Sequence, residues 1–217
     1  MSILLITGQA TSGKSSLGAY LEQCNLAITV SGDAHRFVPG KGWAKRSTED
    51  YVRSVEEAIH AIMTAHPGRL IALETTVEDV SDPEDARKVC ALKLCERGLV
   101  RQVLVLEMDK DRYLLGVMTR SMRRARGAEP QNPVCDETPL AVLRLVAKAW
   151  KSAEGPMQPF LVAAQAMGVP IAQCPAVPLP EPWDRDLCAK ETLTPTVSFL
   201  QTLPSLRGHL QAGGKED

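Results

Sequence analysis

Aromatic residues are scarce, with three Trp, three Tyr and three Phe making up 4% of 217 residues. Aliphatic side chains must therefore build the core. Charge of one sign is missing too: the net charge is −1. Nothing in that balance forces a polyanionic partner, although a local basic patch remains compatible with it. The six cysteines (24, 90, 95, 135, 174 and 188) include no C-x-x-C pair and no zinc-finger spacing with histidine. Several fall in apolar runs, so they read as reduced core thiols of a cytoplasmic protein. Long apolar runs are absent. The N-terminal one is too short for a signal peptide and lacks a basic lead-in, and no later stretch reaches a membrane-spanning length. The four histidines form no cluster along the chain. There are no internal repeats and no low-complexity tracts. What remains, 44% hydrophobic and 24% charged, describes one sizeable globular α/β domain with a tail.

Against that background one motif stands out. Gly8-Gln9-Ala10-Thr11-Ser12-Gly13-Lys14-Ser15 fits the phosphate-binding pattern G-x-x-x-x-G-K-[ST]. A short apolar run, 2–7, precedes it and suits a buried parallel strand. The residues after it open a helix with Leu17, Tyr20 and Leu21 on one face. Strand, glycine loop and helix together let backbone N–H groups wrap an anionic phosphate. Gly8, Ala10, Thr11, Ser12, Gly13, Lys14, Ser15 and Ser16 are the expected nucleotide contacts. Lys14 is expected on the β- and γ-phosphates and the Ser15 hydroxyl on Mg²⁺.

Further apolar runs predict strands at 26–30, 70–73, 100–106 and 169–174. Helical patterns lie between them. One is capped by Ser47, carries Tyr51, Val52, Val55, Ile59, Ile62 and Met63 on its apolar face, and stops at Pro67-Gly68. The next starts at Asp82-Pro83 and stops at Gly98. Asp109 caps another, which holds Tyr113, Leu114 and Val117 and then an arginine cluster. The 37–46 stretch is a basic, glycine-bearing loop, and 127–133 is a polar, proline-bearing one. A helix is expected from Thr138-Pro139 through Trp150, and another ends at Gly168. The alternation predicts a five-stranded, mostly parallel sheet with helices on both faces. Past Pro175, prolines 178, 180 and 182 read as an extended strap. A short helix is expected near Val197–Leu203, and the end (213–217) reads as disordered. The domain plan is 1–174 with an arginine-bearing lid at about 118–138, followed by a 175–217 extension.

Ligands of open α/β sheets bind outside the carboxyl ends of the strands. Three features besides the loop are expected there. Asp33, after the second strand, is placed to take a proton from an attacking hydroxyl, and Arg36 to orient an acceptor or hold its phosphate. Glu74, after the third strand, is a candidate for Mg²⁺ or for acceptor positioning. Arg120 and Arg124 share a helical face at i, i+4, with Arg123 close by. Like charges on one face repel, a cost that an anionic ligand offsets, so arginines closing over a triphosphate are expected. Lys41, Lys45 and Arg46 with Trp43 among them form a candidate nucleic-acid contact, cations for phosphates and an indole for stacking. No N-K-x-D stretch is present to read guanine. Nor does the third strand close in the paired acids of a motor-type ATPase.

With these residues in place the chain resembles the polynucleotide 5′-hydroxyl kinases, a P-loop kinase family. Gly8–Ser15 matches its phosphate loop, Asp33-Ala34-His35-Arg36 its D-x-x-R, and Arg120-Ser121-Met122-Arg123-Arg124 its R-x-x-x-R lid. The resemblance spans about residues 1–150. It departs where the family has Pro-Gly (here Ala10-Thr11) and where the third strand ends in Asp rather than Glu74. It implies the P-loop NTPase/kinase fold, ATP and Mg²⁺, Asp33 as general base, Arg36 on the acceptor side, and Lys14, Arg120 and Arg124 around the transferred phosphoryl group. The implied acceptor is a DNA hydroxyl, either a 5′ end or a hydroxymethylated base as in related phage kinases. Trp43, Lys45 and Glu74 are then acceptor contacts, and the location is the cytoplasm (the host's, for a viral protein). Two alternatives stand beside it. One is a kinase for a nucleotide or small metabolite, and the other is a non-catalytic nucleotide-binding regulatory protein.

Overall fold

The computed structural model describes residues 2–9, 11–41, 44–77, 85–125, 157–176 and 185–210. Five strands form one sheet: β1 (Ser2–Gly8), β2 (Ile28–Ser31), β3 (Leu70–Glu74), β4 (Val100–Glu107) and β5 (Ile171–Pro175). Their order is β2-β3-β1-β4-β5, and every pairing is parallel. The expectation of a mostly parallel sheet thus holds and tightens: among the described residues no antiparallel strand joins these five. β1 and β3 are buried along their whole lengths, as continuous apolar runs in a sheet covered on both faces must be.

The helices are α1 (Lys14–Gln23), α2 (Thr48–Ala65), α3 (Ala86–Glu96), α4 (Lys110–Ala125), α5 (Gln158–Ala166), α6 (Arg185–Thr202) and α7 (Arg207–Leu210). Side chains of α2, α3 and α5 cover one sheet face, where Tyr51, Val55, Leu94 and Phe160 meet Ile3, Leu5 and Val103. Helix α1 covers the other face with Leu17 and Leu21, joined by Leu193, Val197, Leu200 and Leu210 from the C-terminal helices and Leu206 from the turn between them. The connection after β1 therefore leaves to one face and the connection after β3 to the other, although these strands are neighbours. That opens a crevice at their carboxyl ends, the usual ligand position in such sheets.

Local signals set several helix starts. The Ser47 hydroxyl accepts from Asp50 N at 3.1 Å, and Asp109 Oδ1 accepts from Arg112 N at 2.8 Å, both as expected for N-caps. Helix α3 differs: its cap is Asp85, not Asp82, because the Asp85 carboxylate accepts from Arg87 N at 2.8 Å. The C-terminal helix also differs. In place of a short helix near 197–203, α6 runs 18 residues with Pro195 inside it. A proline removes one helical N–H donor, so local propensity hides this helix, and burial of Leu193, Val197 and Leu200 carries it. The helix expected at 138–150, the 127–133 loop, the 178–182 strap and the 213–217 end lie outside the described residues. So do Cys135 and all but the first residues of the 118–138 segment, of which 118–125 belong to α4.

Cys90, Cys95 and Cys174 are free and buried. Burial first, then the nearby Glu56 carboxylate, pushes the Cys90 thiol up to about 12. Burial first, then Glu107, pushes Cys174 up to about 11. Thiols so far from ionising are packing groups rather than nucleophiles. No helix among the described residues is long and apolar enough to cross a membrane.

Candidate active site

The loop between β1 and α1 has the backbone that its glycines permit. Gly13 stands at φ 87°, and Thr11, a β-branched residue, at φ 68°. Glycine takes the first without cost, whereas the second is strained by about 1–3 kcal/mol. The loop closes with Ser12 N donating to Gln9 O at 3.2 Å, and α1 begins with Leu17 N donating to Gly13 O at 2.9 Å. Gly13 has no side chain to cap α1, and no side-chain cap is made there. The first-turn N–H groups of Ser15 and Ser16 thus face the loop mouth without an intrahelical acceptor. Both serines are exposed. Lys14 Nζ donates to Gly8 O and Gln9 O, each at 2.8 Å, so its ammonium lies inside the loop. Ala10 lies outside the described residues.

Buried polar atoms without partners collect around this loop. Thr7 Oγ1, Gln9 Oε1, Thr11 Oγ1, Ser12 Oγ and Glu74 Oε2 are all covered and unpaired among the described residues. A buried polar group left unpaired costs roughly 1–3 kcal/mol. Five of them at the carboxyl ends of β1 and β3 mark a place where the protein keeps polar atoms for something other than packing.

Glu74 is the hinge of the site. The register puts it beside Ile6 on β1 and Ser31 on β2. Its carbonyl accepts from Gly32 N at 2.8 Å, which ties the start of the Asp33 turn to the sheet. Its Oε2 reaches toward α1, 3.8 Å from where a Cβ on Gly18 would sit. Gly32 is equally confined. A Cβ there would stand 2.9 Å from Glu74 O, 2.9 Å from the Tyr51 hydroxyl and 3.0 Å from Thr75 Oγ1. Glu74 therefore spans from the phosphate loop's helix to the Asp33 turn.

That turn follows β2 as three successive backbone bonds: Ala34 N to Ser31 O, His35 N to Gly32 O and Arg36 N to Asp33 O. The Asp33 side chain is 66% exposed and faces Arg87 Nη1 at 3.6 Å. Arg36 lies with its guanidinium 5.8 Å from the Phe37 ring centroid. His35 Nδ1 and Ser54 Oγ share a 2.8 Å hydrogen bond. Burial first, then the Arg46 charge, lowers the His35 imidazole below its usual range. The loop after the turn closes through a bridge between Phe37 and Lys45, and it carries Lys45 exposed on its far leg. Trp43 lies outside the described residues.

Helix α4 seats on the phosphate loop. Gly116 leaves room for Thr11, and a Cβ at that position would collide with the Thr11 hydroxyl. Arg120 is one turn beyond Gly116 on the same helical row, and Arg124 one turn further. The nominated arginines thus belong to the helix that touches the loop.

Sequence reasoning missed Arg87, Asp85 and Tyr51. Arg87 follows Asp85 by two positions at a helix start, an ordinary capping pattern, and only tertiary structure brings it to Asp33. Tyr51 sits in a run that reads simply as an apolar face. Burial above all pushes its phenol up, so it stays neutral. Concavities are present among the described residues. One of about 630 Å³ opens at the amino-terminal end of the sheet, lined by Ser2, Arg101, Gly168 and Ser205 among others, away from every candidate residue. Another, about 300 Å³, is lined by Arg46, Asp50, Arg53, Ser54 and Glu57 beside His35.

No protein-family model matches the chain, and no curated protein matches it. Solved structures do. A sugar kinase from Janibacter sp. HTCC2649 is 13% identical over 95% of this chain and 98% of its own, with a TM-score of 0.43. A shikimate kinase from Bacteroides thetaiotaomicron is 15% identical over 90% and 98%, TM-score 0.43. A gluconokinase from Sinorhizobium meliloti 1021 is 14% identical over 97% and 94%, TM-score 0.42. Likenesses this distant assign neither a family nor a substrate.

Proposed function

We propose that the protein is a nucleoside-triphosphate-dependent phosphotransferase that moves a γ-phosphoryl group, most naturally from ATP, onto the hydroxyl of a small polar acceptor. The observation that carries this is the loop itself. Lys14 is held inside it by two carbonyls, unpaired buried polar atoms ring it, and a carboxylate-bearing turn is tied to it through Glu74. Lys14 and the loop amides hold the β- and γ-phosphates. Phosphoryl transfer needs little covalent chemistry from a protein, so positioning and charge do most of the work.

The residues present fit Mg²⁺. A serine hydroxyl and a buried, unpaired carboxylate oxygen are the hard donors this cation takes, so Ser15 and Glu74 would hold it. When bound, it neutralises charge on the phosphates. Asp33 accepts the acceptor's proton, Arg36 orients the acceptor, and Arg120 and Arg124 come over the triphosphate from α4.

The small acceptor is favoured over DNA by the charges near Asp33. Arg87 is bound to Asp85 at 2.7 Å and Arg53 to Asp50 at 3.4 Å, so these cations are already matched. The groove beside His35 mixes both signs of charge, which suits a compact polyhydroxyl compound better than a polyanion. The test is transfer of labelled γ-phosphate to a panel of sugars, polyols, nucleosides, 5′-hydroxyl oligonucleotides and DNA with hydroxymethylated bases. Labelling of small hydroxyl compounds is expected. Labelling of the nucleic acids alone would restore the polynucleotide reading. ATP binding with no transfer at all would mark a nucleotide-binding regulator.

A further inference from the structure

Asp85 and Arg87 form a nearly buried ion pair at the start of α3, with side chains 11% and 13% exposed. One Asp85 carboxylate accepts Arg87 N at 2.8 Å, Nε at 3.0 Å and Nη2 at 2.7 Å. The guanidinium is therefore fixed as a fork. Its remaining nitrogen, Nη1, points at Asp33 Oδ1, 3.6 Å away. Burial pushes the Asp85 carboxyl up, and the Arg87 hydrogen bonds and charge, with help from Arg36, more than offset this and leave it below the usual range. Four charges thus alternate from Arg36 to Asp85, Arg87 and Asp33.

A buried ion pair is a weak source of stability. Apolar side chains of similar volume often do as well. Keeping one at the edge of the candidate site calls for a use that an apolar contact lacks. We infer that the Asp85–Arg87 pair is a latch that holds the 31–36 turn, and the Asp33 carboxylate on it, against the start of α3. Arg87 is a positioning residue: Asp85 fixes its fork, and the fork fixes Asp33. The turn needs such a support. Asp33 is mostly exposed, and the N–H groups of 34–36 all bond within the turn itself. Its outside ties are at its two ends and at His35: Ser31 and Gly32 to β3, Arg36 O to Arg46 N at 3.0 Å, and His35 Nδ1 to Ser54 Oγ, and none of them reaches Asp33. The catalytic half of this inference rests on the proposed role of Asp33, whereas the latch itself does not.

The test variant is Asp85→Ser with Arg87→Leu. Serine keeps the helix cap, and removing both charges leaves neither one buried alone. Two measurements are made on the full chain. Hydrogen exchange of the 31–36 peptide should rise about fivefold or more while the 2–9 peptide is unchanged. The turnover number should fall about 10–10²-fold, as displacement of a reacting group implies, with the KM for ATP unchanged. Arg87→Lys, which keeps the cation but loses the fork, should fall between the two and carries the test if the double variant does not fold. Unchanged exchange at 31–36 overturns the latch, and parental turnover in a folded double variant overturns its catalytic half. If the parent protein transfers phosphate to no acceptor, the proposed function falls by itself, and exchange at 31–36 alone still decides the latch.

Discussion

Gly116→Ala separates helix physics from site physics by the sign of its effect. Gly116 lies in the interior of α4, where alanine is better than glycine by about 0.8–1 kcal/mol. Local propensity therefore expects the variant to be more stable. The structure expects the reverse. The new Cβ would collide with the Thr11 hydroxyl and stand 3.0 Å from Thr11 Cβ. Thr11 has little room to yield, because it is already held at φ 68° inside a loop closed by Ser12 and Lys14. Overpacking of this kind costs about 1–3 kcal/mol. The net loss is then up to about 2 kcal/mol after the propensity gain, or several degrees in melting temperature for a chain of this size. The contact lies on the phosphate loop, so affinity for a fluorescent ATP analogue should fall as well. Thr11→Gly removes the colliding atoms and relieves the positive-φ strain, so it should restore both properties in the Gly116→Ala background. Thermal and chemical denaturation with nucleotide titration on the two single variants and the double make the cycle. A Gly116→Ala protein that is more stable than the parent and binds the analogue equally well would refute the seating of α4 on the loop.

Three further outcomes are expected. Lys14→Ala removes the ammonium bonded to Gly8 O and Gln9 O, so ATP binding should weaken and turnover drop about 10²–10³-fold; unchanged transfer in a coupled assay would remove the basis of the proposed function. Asp33→Asn should bind the ATP analogue normally yet transfer phosphate about 10²–10⁴-fold more slowly, and a full rate would show that Asp33 is not the base. Stability should rise with pH in the window just below about 6.5, because burial and Arg46 lower the His35 imidazole. The unfolded chain, with a histidine near 6.5, binds more protons in that window, so this contribution is complete above it and is lost as pH falls through the folded value. His35→Gln should flatten the melting temperature there, while the Asp85 contribution, being that of a depressed carboxyl, is lost only below about pH 4.

Much of the site can be read from the sequence because its parts are local. The G-x-x-x-x-G-K-S loop, the Ser47 and Asp109 caps, and the runs behind β1, β3 and β4 depend on neighbours within a few residues. A cap bonds two or three positions ahead, and a buried strand announces itself as an unbroken apolar run. Helix α6 is the counter-example: Pro195 and weak periodicity conceal it, and only the sheet face that needs Leu193, Val197 and Leu200 makes it a helix.

The sequence by itself determined the glycine loop from Gly8 to Ser15, on which the proposed phosphate binding rests, and the acidic residues Asp33 and Glu74 at the ends of the second and third strands. The strand order β2-β3-β1-β4-β5 decided the rest. It set Glu74 between β1 and β2, beneath both Gly18 and Gly32, and it carried Arg87 across to Asp33. It also laid α4 on Thr11. The physical reason is range. Backbone hydrogen bonds and side-chain periodicity write local structure into nearby residues. Contacts between residues fifty or more positions apart come from closing the sheet, and they leave no mark on either stretch of sequence alone.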